Sequence, residues 1–172
     1  MELVGARVRL RTLTSEDLPL LAEFLQASSV KKWWGDYDEA RLRRELVDDP
    51  SVEAFAVEVE GHLVGMVDFC EETYPDYHHA ALDITLGVPY QGQGLGSDAL
   101  RTLITHLVDE RGHHRLTVDP AAENTDAVRF YEKLGFRKVG ILSKYERVSE
   151  GHWRDGLLME LVVDSDLRTC KA

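Results

Sequence analysis

The 172-residue chain is predicted to be an α/β domain of the α+β type, built around a central mixed sheet. Segments with the two-residue alternation of strands are interleaved with segments of helical apolar spacing. Residues 54–59 and 63–69 flank Glu60-Gly61-His62, which is the pattern of a β-hairpin. A glycine-rich stretch at 91–96 joins an apolar run to a helical one. These observations predict helices packed on a sheet of about seven strands.

The first elements follow from local patterns. Residues 8–13 alternate between polar and apolar side chains and are predicted to form a strand. Thr14 or Ser15 can cap the helix that follows, and Ser28-Ser29 is expected to close it. Trp33-Trp34-Gly35 is expected in a connection before a second helix near residues 38–48.

The later elements are predicted in the order of three strands, a helix, a strand, a helix and a long terminal hairpin. Their expected ranges are 54–59, 63–69, 80–88, 95–110, 114–119, 124–134, 136–147 and 153–163. With the first two helices this gives about four helices. Residues 164–172 are expected to be a polar tail, and the lack of any linker or repeat predicts a single domain over 1–172.

Composition narrows the classes of function. A net charge of −11 and an isoelectric point near 5 argue against nucleic acid as a partner and are compatible with a cationic one. No apolar run reaches the length of a membrane span, and the N-terminus has no signal core. Cys70 and Cys170 make no disulfide or metal pattern. We therefore expect a cytoplasmic protein with no membrane partner and no metal.

The stretch at 91–97 has the features of a phosphate site. The first amides of a helix have no backbone partner and carry partial positive charge, and glycines let an anion approach them closely. The stretch lacks the Lys-Ser/Thr of a P-loop and does not fit the spacing G-x-G-x-x-G. A nucleotide triphosphatase and a dinucleotide-binding fold are both disfavoured.

The spacing of Gln91, Gly94 and Gly96 resembles the acyl-coenzyme A pyrophosphate loop of the GNAT superfamily of N-acetyltransferases. Downstream, Asn124-x-x-Ala127 is followed by a tyrosine, a glycine and a phenylalanine. This second pattern resembles the other acyl-CoA motif of the superfamily, and both occur in the family's order. The resemblance is close over roughly 80–140, and beyond that range it rests on element order.

The resemblance implies a twisted sheet of the GNAT fold. Its halves splay apart between the strand ending at Val88 and the strand ending at Asp119, and acetyl-CoA enters that cleft. The pantetheine arm is expected to pair with the first strand end, and the loop amides to hold the pyrophosphate. The implied CoA-binding residues are Leu86, Gly87, Val88, Gln91, Gly92, Gln93, Gly94, Leu95, Gly96, Ser97, Asn124, Ala127 and Tyr131.

The resemblance also implies catalytic roles. The amide of Val88 is the expected oxyanion donor, and the phenol of Tyr131 the acid that protonates the departing thiolate. Asp119 lies in a Thr-x-Asp-Pro element similar to that of aminoglycoside 6′-N-acetyltransferases, where it would deprotonate or anchor the amine. The structural alternatives are a core tyrosine at 131 and an Asp-Pro turn at 119.

The acceptor is suggested by Trp33 and Trp34, which with Gly35 are similar to a Trp-Trp-Gly element of the same aminoglycoside group. Aromatic walls suit sugars and cationic amines, and Asp83 would join Asp119 in binding them. A hydrophobic plug or a dimer contact would also explain the tryptophans. The favoured acceptor is the 6′-amine of an aminoglycoside, a small-molecule substrate.

Three alternatives remain open: a polyamine acceptor, a protein N-terminus, and a non-catalytic acyl-CoA-binding module. A homodimer through the terminal hairpin is a further expectation from the resemblance.

Overall fold

The computed structural model describes residues 1–163, so the expected polar tail at 164–172, with Cys170, lies outside the described residues. Within this range the strands are β1 (Glu2–Val4), β2 (Arg9–Thr12), β3 (Val52–Val59), β4 (His62–Glu72), β5 (His79–Leu86), β6 (Arg115–Val118), β7 (Arg137–Ser149) and β8 (His152–Val162). The α-helices are α1 (Leu18–Gln26), α2 (Ser28–Trp34), α3 (Glu39–Leu42), α4 (Leu95–Thr105) and α5 (Thr125–Lys133). The hydrogen-bonded strand order is β1-β2-β3-β4-β5-β6-β8-β7. This mixed sheet with helices confirms the predicted α+β class.

The chain forms two compact units. Among the described residues, the first contains Met1–Cys70 and Leu82–Ile104, and the second contains Glu71–Ala81 and residues 105–163. Strand β5 contributes residues to both units. The expectation of a single domain over the whole chain stays a prediction.

In the first unit, strands β1 to β4 form antiparallel pairs, and the predicted hairpin of β3 and β4 is confirmed. Helices α1, α2 and α3 bury their apolar faces against β3 and β4. This core cluster contains Leu13, Leu18, Leu21, Leu25, Val30, Leu42, Ala54, Ala56 and Met66. The helices depend on this burial, because none of the three is long enough to be stable alone.

The start of α1 differs from the prediction. Neither Thr14 nor Ser15 caps the helix, whose N-cap residue is Asp17. The carboxylate of Asp17 accepts hydrogen bonds from the amide and hydroxyl of Thr14, at 2.9 and 3.0 Å, and forms an ion pair with Arg11. The side chains at 14 and 17 are thus used in the turn before the helix, which delays its first residue to Leu18.

The expected end of the first helix at Ser28-Ser29 and the expected connection at Trp33-Trp34-Gly35 are also wrong, because Ser28 and Ser29 open α2 instead of closing α1. Ala27 adopts an extended ψ of 129°, which breaks the helical path for one residue. Trp33 and Trp34 therefore lie in the last turn of α2, and Gly35, with a φ of +81°, ends the helix. The following helix is a short α3 that continues as π-type turns over Arg43–Val47.

In the second unit, β6 pairs in parallel with β5 through Ala80 and Ala81, and antiparallel with β8. Strand β7 pairs with β8, which confirms the terminal hairpin. The predicted helix at 124–134 is α5, and its N-cap is Asn124. The predicted helix at 95–110 begins in the first unit, where it is α4, which ends at Thr105, and π-type turns follow over His106–Glu110 in the second unit.

Candidate functional site

The glycine-rich loop lies between β5 and α4. Gly92 and Gly94 have φ values of +71° and +82°, a region in which side chains with a Cβ are strained. A Cβ at Gly92 would meet no atom within 4 Å, so the space in front of this backbone is open. The first helical hydrogen bond runs from the Asp98 amide to the Gly94 carbonyl at 3.1 Å, so the amides of residues 95–97 have no helical acceptor. This arrangement fits an anionic phosphate group.

The two glutamines of the loop shape its backbone. The side-chain Nε2 of Gln91 donates to the carbonyl of Leu86 at 2.8 Å, and the side-chain Nε2 of Gln93 donates to the carbonyl of Pro89 at 2.6 Å. Both side chains therefore fold back onto the chain that leads into the loop. The two hydrogen bonds therefore brace the turn that leads into α4.

Arg7 is a residue that the sequence analysis missed. Its guanidinium donates from Nη1 to the carbonyl of Gln93 at 2.5 Å, and it lies 3.5 Å from the position a Cβ would take on Gly94. The carboxylate of Asp98 accepts the amides of residues 6–8 at 3.2, 2.6 and 3.0 Å, which holds Arg7 in place. The loop at 91–97 has no basic side chain of its own, so the positive charge beside it comes from a residue 86 positions away.

The end of β5 is predicted to meet the pantetheine arm. The Gly87 amide donates to the Val64 carbonyl of β4 at 2.9 Å, and the Leu86 carbonyl is occupied by Gln91. A Cβ on Gly87 would lie 2.9 Å from Cδ1 of Phe24, so only glycine fits there. Val88 opens a 3-10 turn, and the first amide of such a turn has no acceptor within it. The role of the Val88 amide as oxyanion donor stays a prediction.

An acidic and aromatic cavity of about 260 Å³ lies in the first unit. It is lined by Trp34, Tyr37, Glu45, Leu46, Asp49, Val52, Asp68 and Asp83. Trp34 and Asp83, both predicted acceptor residues, are thus brought together. Trp33 is not part of this lining. The ammonium nitrogen of Lys32 lies over the Trp33 ring, 4.3 Å from its centroid. We call this cavity the acidic pocket.

Tyr37 forms the aromatic wall of the acidic pocket with Trp34, their ring centroids 5.7 Å apart in an edge-on arrangement. The guanidinium of Arg41 lies 3.7 Å from the centre of the Tyr37 ring and pairs with Glu45 at 3.0 Å. Burial, and then the hydrogen bond with the Glu45 carboxylate, raise the pKa of Tyr37. The phenol therefore remains protonated at neutral pH.

Asp68 and Asp83 place two carboxylates in the same cavity. Both residues line the acidic pocket, and the charge of Asp83 acts on the carboxyl of Asp68. Like charges close together disfavour each other's ionised form. Burial and the neighbouring carboxylate of Asp83 together raise the pKa of Asp68 well above its usual range. The sequence held one signal for Asp68, a charge within an otherwise apolar strand.

The second acyl-CoA motif lies in the second unit. The side-chain oxygen of Asn124 accepts the amide of Ala127 at 3.2 Å, so this pair forms the N-terminal cap of α5. Tyr131 is buried, with Phe136 5.7 Å away between ring centroids. This burial agrees with the core alternative for Tyr131. Its role as the acid, and the CoA contacts of the motif, stay predictions.

Asp119 follows β6 and is exposed. Its Oδ2 accepts a hydrogen bond of 2.5 Å from the hydroxyl of Tyr145. Asp119 belongs to the second unit and Asp83 to the first. Tyr145 was missed by the sequence analysis because the contact spans 26 residues.

Among residues 1–163, no helix has the length and apolar character to span a membrane. The same part of the chain contains no group of three or more histidine, cysteine or acidic residues that could hold a metal ion.

Comparison with known proteins identifies the family. Residues 11–136 match the model of the acetyltransferase (GNAT) family, and the chain belongs to this family. It is an acetyl-CoA-dependent N-acetyltransferase. Membership of this family favours an enzyme over the alternative of a non-catalytic acyl-CoA-binding module. The recognition of the superfamily from the two motifs is thereby confirmed.

The chain is 29% identical over 157 residues to aminoglycoside N(6′)-acetyltransferase type 1 of Klebsiella pneumoniae, covering 79% of this chain and 77% of that protein. It is 28% identical over 158 residues to spermidine N(1)-acetyltransferase of Escherichia coli K12, covering 88% and 84%. These two relatives are named for different acceptors, so the comparison leaves the acceptor open.

Solved structures share the fold. A GNAT family acetyltransferase from Bacillus anthracis has a TM-score of 0.80 at 23% identity, covering 94% of this chain and 98% of its own. Spermidine N-acetyltransferase from Vibrio cholerae in complex with CoA and spermine has a TM-score of 0.77 at 22% identity, covering 92% and 96%.

Proposed function

We propose that the protein transfers the acetyl group of acetyl-CoA to the 6′-amine of an aminoglycoside. The observation that carries this proposal is the acidic pocket, where Trp34 and Tyr37 stand beside the carboxylates of Asp68 and Asp83. Aromatic faces attract cations and cover sugar rings, and carboxylates hold ammonium groups. Similarity to an aminoglycoside acetyltransferase over 79% of the chain supports the same acceptor.

The size of the acidic pocket also bears on the acceptor. Its volume of about 260 Å³ is below the range of roughly 300–1,000 Å³ typical for drug-sized ligands. A single amino-sugar ring is the part of an aminoglycoside that such a cavity suits, with the other rings outside it. Because a short aliphatic polyamine would also enter, spermidine is the acceptor against which the proposal must be tested.

The cofactor residues follow from the loop geometry. The amides of residues 91–97 would hold the pyrophosphate, and Arg7 would add a positive charge beside them. When bound, acetyl-CoA supplies an activated thioester to the acceptor amine. The Val88 amide would donate to the carbonyl oxygen of the reacting acetyl group, and Tyr131 would supply the proton that the thiolate takes up.

The acceptor amine must lose a proton before it can attack, because an ammonium has no lone pair. Asp119 is proposed to anchor or deprotonate this amine. Asp68 is a second candidate, since a carboxylate with a raised pKa accepts a proton more readily than an ordinary one. When either carboxylate acts as the base, one N–H bond of the ammonium group breaks and the proton passes to a carboxylate oxygen. The amine nitrogen keeps the electron pair.

A thiol-release assay with acetyl-CoA tests the acceptor, using kanamycin, spermidine and an N-terminal peptide in parallel. Turnover with kanamycin at least tenfold above the other two supports the proposal. Preference for spermidine or the peptide would keep the enzyme class and overturn the acceptor.

The role of the acidic pocket is tested with Trp34→Leu, and Trp33→Leu serves as a matched control. Trp34→Leu should raise the acceptor Michaelis constant about tenfold, as expected for the loss of an aromatic contact of about 1.4 kcal/mol. Trp33→Leu should change it less than twofold, because Trp33 is not part of the pocket lining. Equal effects of the two variants would contradict this location of the acceptor site.

The cytoplasmic location and the homodimer through the terminal hairpin remain proposals. Light scattering after size-exclusion chromatography would test the dimer directly.

A further inference from the structure

Strand β7 contains an irregular segment opposite Asp155. Leu142 pairs with Gly156 of β8, and Glu146 pairs with Arg154, so three residues of β7 face a single residue of β8. Bulges of this kind bend a strand and redirect its side chains, and they are common beside active sites. Of the three register shifts that interrupt the pairing of β7 and β8 in the described residues, this one, between Leu142 and Glu146, is the widest.

The irregular segment is held by specific contacts. Lys144 has a φ of +51°, in the left-handed region that is rare for residues other than glycine. Its amide donates to Oδ1 of Asp155 at 2.7 Å, which stabilises this strained conformation. The next residue is Tyr145, so its direction is set by the constrained backbone before it.

The ring of Tyr145 rests on a glycine. A Cβ on Gly156 would lie 2.8 Å from Cδ1 of Tyr145, closer than real Cβ contacts come. Gly156 does not have a positive φ, so its backbone would accept alanine. Glycine is required here by the space that the tyrosine ring occupies.

The hydroxyl of Tyr145 donates to Oδ2 of Asp119 at 2.5 Å. This hydrogen bond, followed by burial, raises the pKa of Tyr145 to about 12, so the phenol keeps its proton at neutral pH. The other charged groups of the segment are Lys144, Asp155 and Glu146, and Glu146 forms an ion pair with Arg154 at 2.6 Å. Tyr145 is thus a permanent donor to an otherwise exposed carboxylate.

We propose that Tyr145 is a positioning residue that orients the carboxylate of Asp119 toward the acceptor amine. The hydroxyl fixes one oxygen of Asp119, which leaves the other to bind the amine or take its proton. The strained backbone at Lys144 and the space above Gly156 serve this single contact. The inference rests on the role proposed above for Asp119.

The test combines Tyr145→Phe with Asp119→Asn as a double-mutant cycle. Steady-state kinetics with kanamycin, or with the amine that the acceptor panel selects, give the acceptor Michaelis constant and kcat. Calorimetric titration with CoA and the thermal midpoint report cofactor binding and folding. Tyr145→Phe should raise the acceptor Michaelis constant about tenfold in the native background. In the Asp119→Asn background the same substitution should raise it less than twofold. CoA affinity should not change.

Gly156→Ala provides a second route to the same effect, because the added methyl displaces the ring but keeps the hydroxyl. Gly140→Ala is its matched control, on β7, where a Cβ would meet nothing within 4 Å. Gly156→Ala should reproduce the kinetic defect of Tyr145→Phe. Gly140→Ala should leave the acceptor Michaelis constant and kcat unchanged.

Two outcomes would overturn the positioning role alone. One is an unchanged Tyr145→Phe enzyme while Asp119→Asn is impaired, and the other is an equal loss from Tyr145→Phe in both backgrounds. If Asp119→Asn itself leaves acceptor kinetics unchanged, the role proposed for Asp119 fails, and the positioning role fails with it.

Discussion

Asp68 is a carboxylate in an otherwise apolar strand, and it bears on stability as well as on the proposed binding of a cation. It lies near Asp83, and both carboxylates line the acidic pocket. Repulsion between them disfavours the folded state, and a bound cation would relieve it. The pair of carboxylates therefore supports the proposed cationic acceptor.

Asp68→Asn should stabilise the protein at neutral pH. Because the folded-state pKa of Asp68 is raised, the stability that depends on its protonated form is present at low pH and is lost as the pH rises through that value. Removing the charge should raise the thermal midpoint by about 2–4 °C at pH 7.5, for a repulsion of about 1 kcal/mol. The gain should shrink toward pH 4.

The measurement for Asp68→Asn is a series of thermal melts across this pH range. Asp109→Asn is the control, because Asp109 is an exposed aspartate outside the pocket. A lower midpoint for Asp68→Asn at pH 7.5 would contradict the repulsion between the two carboxylates.

Arg7→Gln should weaken CoA binding about tenfold, since a charge-assisted contact to phosphate contributes about 1.4 kcal/mol or more. Arg101→Gln is the matched control, because it removes the same charge from an exposed position on α4. Calorimetry with CoA measures the affinities. Acetyl-pantetheine, which lacks the pyrophosphate, should show no difference between native enzyme and Arg7→Gln, and an equal loss with both compounds would contradict the phosphate contact.

At the scale of elements, the loop before α4 depends on backbone geometry. Gly94→Val should reduce CoA affinity at least tenfold, because a branched side chain at a φ of +82° strains the loop and blocks the approach of the anion. Gly112→Val is the control: Gly112 has a φ of +79° and open space around it, but lies outside the loop.

Calorimetry and thermal melts separate these two effects. Both glycine variants should lose similar stability, and Gly94→Val alone should lose CoA binding. Unaltered CoA affinity in Gly94→Val would show that the phosphate lies elsewhere.

The elements best predicted from sequence are those whose signals are local. The glycine turn before α4, the hairpin of β3 and β4, and α5 with its Asn124 cap all follow from neighbouring residues. Helix α2 was missed because one extended residue, Ala27, separates it from α1, and no pattern in the sequence marks that change. Element boundaries of this kind depend on tertiary packing rather than on propensity.

For the whole molecule, the net charge of −11 predicts an opposite salt response for the two substrates. A negative field attracts a polycationic acceptor and repels anionic acetyl-CoA, and salt screens both effects. Raising ionic strength from about 0.05 to about 0.5 M should raise the acceptor Michaelis constant several-fold and leave that of acetyl-CoA unchanged or lower. Steady-state kinetics at fixed pH measure both, and insensitivity of the acceptor constant would argue against a polycation.

The fold and the glycine turn before α4 could be predicted from the sequence, whereas most of the lining of the acidic pocket could not. Trp34 and Asp83 were predicted. Tyr37, Glu45 and Asp68 come together only when the connection between α2 and α3, the turns after α3, and β4 are assembled. Arg7 and Tyr145 reach their partners across 86 and 26 residues. Contacts over such separations leave no periodic signal in one chain.

The carboxylate of Asp98 has a consequence for how the protein can be monitored. It accepts hydrogen bonds from the amides of Ala6, Arg7 and Val8. The hydrogens of these amides exchange with solvent only when the hydrogen bonds open. Because Arg7 also grips the loop at Gln93, a phosphate that steadies this loop should slow deuterium uptake at the three amides. The exchange rate of the N-terminal segment would then report whether the cofactor is bound, with no probe attached to the protein.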